Sequence, residues 1–249
     1  TYEDDTYTTK VAKSTEAELI EQIRSDIRTA LSTGAAKESF DTTWETKGRA
    51  TKWALYALGA DVCLWAEDYE AAVTYCDAIL NARGVGAPAF LATATHSSWF
   101  SMFNPGNSNE SIFEIQYNYE ENQTNNLPKL FDNEHADGIY RISRALTQMF
   151  NSEYSATLYE MKEAVRSMYG GYFVGPDATI FESATVSYVW KYLGSQTLSD
   201  KRTASYYDPN FIIYRVADVM LMKAEALILR THGENIEDKV EAMKSTYRK

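Results

Sequence analysis

The chain has 249 residues, of which 45% are hydrophobic and 24% charged, the balance of an ordinary globular protein able to bury a sizeable core. Its net charge of −11 argues against nucleic acid as a partner, because phosphate binding requires a basic face. Eighteen tyrosines supply rings with polar tips, which suit interfaces and the stacking of flat amphipathic ligands such as sugars.

The opening Thr1-Tyr2-Glu3-Asp4-Asp5 is polar and lacks the basic and apolar regions of a signal peptide, as expected of a processed or truncated chain. Thr15 and Glu18 then announce a helix over 16–32, with Leu19, Ile20, Ile23, Ile27 and Leu31 at helical spacing and Gly34 beyond its end. A polar loop carrying Phe40 and Trp44 leads to Gly48. The next helix is predicted over 49–66, with Ala57, Gly59 and Ala60 as small residues on one side. After a turn at Glu67-Asp68 a third helix runs over 69–82. Two helices joined so tightly, with small residues at the crossing, form an αα-hairpin of tetratricopeptide type, present in one clear copy. Cys63 and Cys76 sit about one turn out of register across that hairpin. Two buried thiols fit better there than a disulfide, whose Cα atoms must approach within ~7 Å.

From Gly84 to Tyr207 the character changes to Gly, Pro, Asn and Ser punctuation. Ser111 to Tyr117 alternates and reads as a strand. Thr185 to Leu193 reads as a short extended segment, and Ser143–Phe150 and Ser155–Met168 as short helices. Irregular stretches of this kind, set between rigid helices, are where binding surfaces concentrate. Phe211 to Arg230 is predicted as one helix, apolar nearly all round and therefore buried. It has the length of a membrane span, roughly 20 residues, but Arg215, Asp218, Lys223 and Glu225 near its centre make that reading costly. Ala217, Ala224 and Ala226 allow a neighbouring helix to approach closely. The final stretch, Asn235 to Lys249, reads as a charged surface helix.

Catalytic and metal chemistry leaves little trace. His96, His135 and His232 are far apart, and no zinc, phosphate-loop or nucleophile-elbow motif occurs. Asp132-Asn133-Glu134-His135-Ala136-Asp137-Gly138 resembles part of a calcium loop. Counted from Asn133, however, the closing position is Arg144, where the bidentate glutamate belongs, so a solvated acidic loop is the better reading. No metal or cofactor is implied. With 35 acidic residues, a carboxylate pair at glycosidase spacing carries no weight.

Tyr214-Arg215-x-Ala217-Asp218-Val219-x-Leu221-Met222-x-Ala224-Glu225-Ala226 resembles the signature helix of the SusD/RagB family of Bacteroidetes outer-membrane nutrient-binding lipoproteins. Further segments agree in order: Ile23-x-x-Asp26-Ile27-x-x-Ala30, Gly48-Arg49-Ala50-Thr51-Lys52, Asp68-Tyr69-x-Ala71-Ala72 with Ile79-Leu80, and Asn109-Glu110-Ser111-Ile112-Phe113-Glu114-Ile115. The resemblance implies a mainly α fold, with tetratricopeptide-like helical hairpins packed against an irregular, loop-rich lobe with few short strands. It implies a non-catalytic protein that is lipid-anchored through an N-terminal Cys absent from this chain, on the extracellular face of the outer membrane. Its implied partners are a SusC-like TonB-dependent transporter and an oligosaccharide or, in some members, a peptide. The lipoprotein signal and first helical block of the family are not in the sequence, and Thr231 to Lys249 departs from the family's continuation. The chain is therefore expected to be one SusD-like domain over 1–249, a fragment of the full fold. Within it, 14–82 is the hairpin region, 83–207 the binding lobe, 208–230 the core helix and 231–249 a surface tail.

The family's ligand surface has no shared motif, so its residues are chosen here from chemistry. Trp99, Tyr117, Tyr119, Asn122, Tyr172 and Trp190 are candidates for stacking and hydroxyl contacts. Tyr117 and Tyr119, on one face of a strand continued past Ile115 and beside the amide-rich Asn118 to Asn126, form the best cluster. Arg215, Asp218 and Glu225 are read as architectural, with Arg215 and Asp218 paired at i, i+3 and Lys223 and Glu225 reaching the hairpin helices. A helical-repeat scaffold for another protein is the alternative.

Overall fold

The computed structural model describes residues 13–84, 86–91, 96–132, 139–140, 143, 173–174, 187–194, 202 and 207–230. Helix α1 (Glu16–Ser32) starts with a complete capping box. The Thr15 hydroxyl accepts the Glu18 N–H, and the Glu18 carboxylate accepts the Thr15 N–H at 2.8 Å. The segment around Trp44, expected as loop, forms a short helix, α2 (Thr43–Gly48), because the Thr42 side chain caps it by accepting the Glu45 N–H at 3.1 Å. Thr51 caps α3 (Lys52–Trp65) in the same way, which starts that helix slightly later than predicted.

The turn from α3 to α4 (Tyr69–Leu80) is built by Glu67 and Asp68. Glu67 adopts a left-handed φ of 57°, the Asp68 N–H reaches Cys63 O at 2.9 Å, and the Glu67 N–H reaches Leu64 O at 3.0 Å. These paired bonds are a Schellman motif, completed without the usual glycine. Asp68 then caps α4 by accepting the Ala71 N–H, and it accepts Arg24 of α1 at 2.5 Å. Two neighbouring residues thus end one helix, start the next and tie down a third.

Helix α5 (His96–Phe100) precedes strand β1 (Ser111–Ile115). Short 3-10 turns follow at Tyr119–Glu121 and Leu127–Leu130. Strands β2 (Phe173–Val174) and β3 (Ser187–Tyr188) pair antiparallel, and helix α6 (Trp190–Leu193) comes directly after. The expected extended segment over 185–193 is thus strand only at 187–188, and α6 replaces it from Trp190 onward.

The Phe211 to Arg230 segment is not one helix. Phe211–Arg215 is strand β4, antiparallel to β1, and helix α7 begins at Val216 and ends at Arg230. Phe-Ile-Ile-Tyr is β-branched and aromatic, whereas Ala, Leu, Met, Lys and Glu dominate only after Val216, so local preference changes at that boundary. Asp218 fixes the switch: its carboxylate accepts the Arg215 N–H at 3.0 Å, the reach-back half of a capping box.

Helix α4 packs against both α3 and α7. Ala57, Ala60, Ala72, Cys76 and Ala226 are all 0% exposed, and with Ile79, Val219 and Met220 they form the main cores. Cys63 and Cys76 are buried free thiols, and burial pushes the Cys76 thiol up to about 12. Lys223 reaches Asp77 of α4 at 2.6 Å, the contact foreseen for it. Glu225 is exposed and makes no ion pair among the described residues, so the architectural role expected of it is not seen. Burial of α7 is likewise one-sided, since Leu221 and Leu229 lie on an exposed face. Among the described residues no helix is long and apolar enough to cross a membrane.

Candidate ligand-binding surface

The loops of the second half are held by a polar network centred on Asn210. Its Nδ2 donates to Glu114 at 2.7 Å and to Gln116 Oε1 at 2.8 Å, while its Oδ1 accepts the Tyr117 N–H at 3.1 Å. Glu114 is fully buried and also accepts the Asn107 N–H, and Gln116 exchanges two hydrogen bonds with the Asn107 side chain. Gly106 is required there: at φ +80° a side chain is strained, and a Cβ would sit 2.9 Å from Asn210 Nδ2. Lys47 is buried near Glu114. It donates to Ser111 O at 2.5 Å, and burial lowers its pKa against the opposing pull of Glu114. Asn125 donates to Pro209 O at 2.8 Å, and the Tyr207 hydroxyl donates to buried Asp132. Asp132 is therefore an internal acceptor and not the solvated acid expected; residues 133–138 of that loop lie outside the described residues.

This scaffold carries a closed turn. Asn118 and Gln123 form an isolated antiparallel bridge, with N–H to O distances of 3.1 and 2.9 Å, around the 3-10 turn at Tyr119–Glu121. The Asn118 side chain accepts the Glu120 N–H, and Asn122 closes the turn at φ 56°. Tyr117 and Tyr119 are half-buried and Asn122 is exposed. The strand stops at Ile115, so Tyr117 and Tyr119 do not share a strand face. The turn, not the pleat, brings Tyr119 to Asn122, whose N–H donates to Tyr119 O at 2.9 Å.

Trp99 and Trp190, selected as stacking rings, are core residues. Trp190 is 1% exposed beside Phe100, Leu193 and Tyr207; Trp99 packs edge-on to Phe103 at 5.4 Å, under the Arg215 guanidinium at 5.7 Å. Neither offers an open ring face, because each fills the space between loops that polar residues alone would leave void. Tyr172 lies outside the described residues. Composition alone passed over Tyr140 and Tyr192. Tyr140 is 56% exposed and leans on Phe131 at 6.0 Å, Phe131 stacks on Tyr192 at 5.4 Å and 15°, and Lys191 lies 5.0 Å from the Tyr192 ring centre. The signal available for them was only their spacing from polar loop residues, which the other tyrosines share.

Arg215 pairs with Asp218 at 3.7 Å, as expected from their spacing, and also approaches buried Glu110 at 3.6 Å. Burial raises the Asp218 carboxyl, opposed by Arg215. These groups join β4 and α7 to the segment before β1, and Glu110 in turn accepts the Leu91 N–H at 3.1 Å. Among the described residues no cluster of histidine, cysteine or carboxylate is arranged to hold a metal ion.

The model of the SusD family matches residues 113–245, more than half of the chain. The chain belongs to the SusD family. Among solved structures it is similar to a laminarin-binding SusD-like protein, with 15% identity, a TM-score of 0.67, and coverage of 98% of this chain and 56% of that one. It is similar to a SusD-like protein from Bacteroides fragilis NCTC 9343, at 20% identity and TM-score 0.60, covering 99% and 55%. It also resembles surface glycan-binding protein A from Bacteroides thetaiotaomicron in complex with laminarihexaose, at 19% identity and TM-score 0.54, covering 90% and 52%. At these identities the structures share the SusD fold. The chain spans about half the length of each. No curated protein sequence matches it.

Proposed function

We propose that this SusD-family chain captures oligosaccharides at a bacterial cell surface without catalysis, and that it presents them to a SusC-like TonB-dependent transporter. The observation that carries the reading is the family match over residues 113–245, which contains both the Tyr117–Asn122 turn and the Tyr140–Phe131–Tyr192 stack. Two solved proteins of the same fold are described by their binding of laminarin or laminarihexaose, which supports a saccharide ligand over a peptide. Tyrosine rings supply apolar faces for pyranose rings, and Asn122 with its neighbouring amides and acids supplies donors and acceptors for hydroxyls. A rigid turn lowers the ordering cost of binding, because its backbone bonds are already made. Anchoring is assigned to an N-terminal lipid-modified Cys outside this sequence.

Isothermal titration against a panel of neutral and acidic oligosaccharides and short peptides tests this reading. Binding of at least one oligosaccharide, with the sugar recovered intact, is the expected result. Affinity for neither sugars nor peptides, together with capture of a folded protein ligand, would favour the helical-repeat scaffold instead.

A further inference from the structure

A groove of about 600 Å³ opens between the C-terminal end of α4, residues 81–84 and 87–90 after it, and the first turns of α7, and among the described residues it shares none with the Tyr117–Asn122 turn or the Tyr140 stack. Its volume is that of a small-ligand site. The loop is fixed rather than draped: the Ala89 N–H donates to Asn109 O at 3.1 Å, and the Leu91 N–H donates to buried Glu110. Phe90, between these two anchors, is 42% exposed and lines the groove. Arg83 Nη1 donates to Ala82 O at 2.6 Å and Leu80 O at 3.3 Å, which holds the guanidinium over the end of α4 and leaves its other N–H groups for a ligand. Asn81 and Asn109 add exposed amides, and Lys223 adds an ammonium whose charge Asp77 partly balances at 2.6 Å.

Among the described residues the lining contains two cations and two amides but no carboxylate, in a chain whose net charge is −11. Neutral sugar hydroxyls call for acceptors as well as donors, whereas an anionic group is matched by donors alone, most strongly by an arginine fork. We infer that this groove is a second saccharide site, selective for a carboxylate-bearing sugar whose acid group meets Arg83 and whose ring packs on Phe90. The inference extends the saccharide-binding reading to a separate surface, and it stands or falls independently of the tyrosines.

The test is equilibrium titration of the whole chain with trigalacturonate and with a neutral trisaccharide. Trigalacturonate is expected to bind, more weakly as NaCl is raised, whereas any binding of the neutral trisaccharide at the tyrosine surface is unaffected by Arg83→Gln or Phe90→Ala. Arg83→Gln and Phe90→Ala should each reduce trigalacturonate affinity by about tenfold or more, while Tyr119→Ala leaves it unchanged. Backbone bonds of Ala89 and Leu91, not the Phe90 side chain, hold this segment, so Phe90→Ala keeps the fold even if Arg83→Gln frays α4. Absence of trigalacturonate binding, a neutral-trisaccharide affinity that falls with Phe90→Ala as far as the trigalacturonate affinity does, or indifference of trigalacturonate to Phe90→Ala would overturn the inference. Loss of trigalacturonate binding in Tyr119→Ala with retention in Phe90→Ala would move the acidic sugar to the turn and overturn it equally.

Discussion

Glu67 occupies a left-handed backbone position that glycine fills more easily, so Glu67→Gly should stabilise the chain by about 0.5–1 kcal/mol in urea denaturation. Its neighbour behaves oppositely. Asp68→Ala removes the cap of α4 and the partner of Arg24, and should cost about 1–2 kcal/mol. Tyr214 donates to Asp61 at 2.6 Å, and burial first, then Asp61, raises its pKa above the ordinary tyrosine value. The unfolded chain therefore releases this proton first. The hydrogen bond contributes fully below about pH 10, and its contribution is lost as pH rises from there toward the folded value. Tyr214→Phe should cost about 1–2 kcal/mol at neutral pH, and the gap between variant and wild type should narrow in alkaline denaturation curves. A gap that widens with alkali would contradict the assignment.

At the level of elements, the α4–α7 contact sets packing against charge. The Lys223–Asp77 pair is partly exposed, so Lys223→Ala should cost no more than about 1 kcal/mol. Ala72→Leu inserts bulk on α4 where the side chain is 0% exposed and clusters with Ala226 of α7, and should cost about 1–3 kcal/mol. Thermal melts of the two variants decide the order. The hairpin was legible in the sequence because small residues, caps and helical spacing agree there, from Thr15 and Glu18 through Asp68 to Ala72. The β4–α7 junction was not. Its apolar run satisfies a buried helix and a strand equally well by hydrophobicity; the β-branched and aromatic residues before Val216 favour a strand only weakly, and pairing with β1, about a hundred positions earlier, makes it one. Trp99 and Trp190 show the same limit. A tryptophan between polar loops has the composition of a platform, but contacts with residues distant in sequence, Arg215 for Trp99 and Tyr207 for Trp190, decide whether its ring is open.

Across the whole molecule, Asn210 joins distant parts of the chain: it reaches Glu114 and Gln116 from the residue before β4, and it holds the Tyr117 backbone. Asn210→Ala should therefore cost about 2–3 kcal/mol in denaturant and also weaken saccharide binding at the turn, although Asn210 is buried away from solvent. The family signature follows the same logic. Arg215 and Asp218 brace the strand–helix junction against Glu110, while the rings assigned to the ligand stand on loops with no fixed spacing. The most direct measurement is titration of wild type, Tyr119→Ala and Tyr140→Ala with the oligosaccharide that wild type binds best among neutral glucans. Each variant should keep the wild-type melting temperature and lose about tenfold or more in affinity. Wild-type affinity in both folded variants, or no glucan binding by the wild type, would contradict the account.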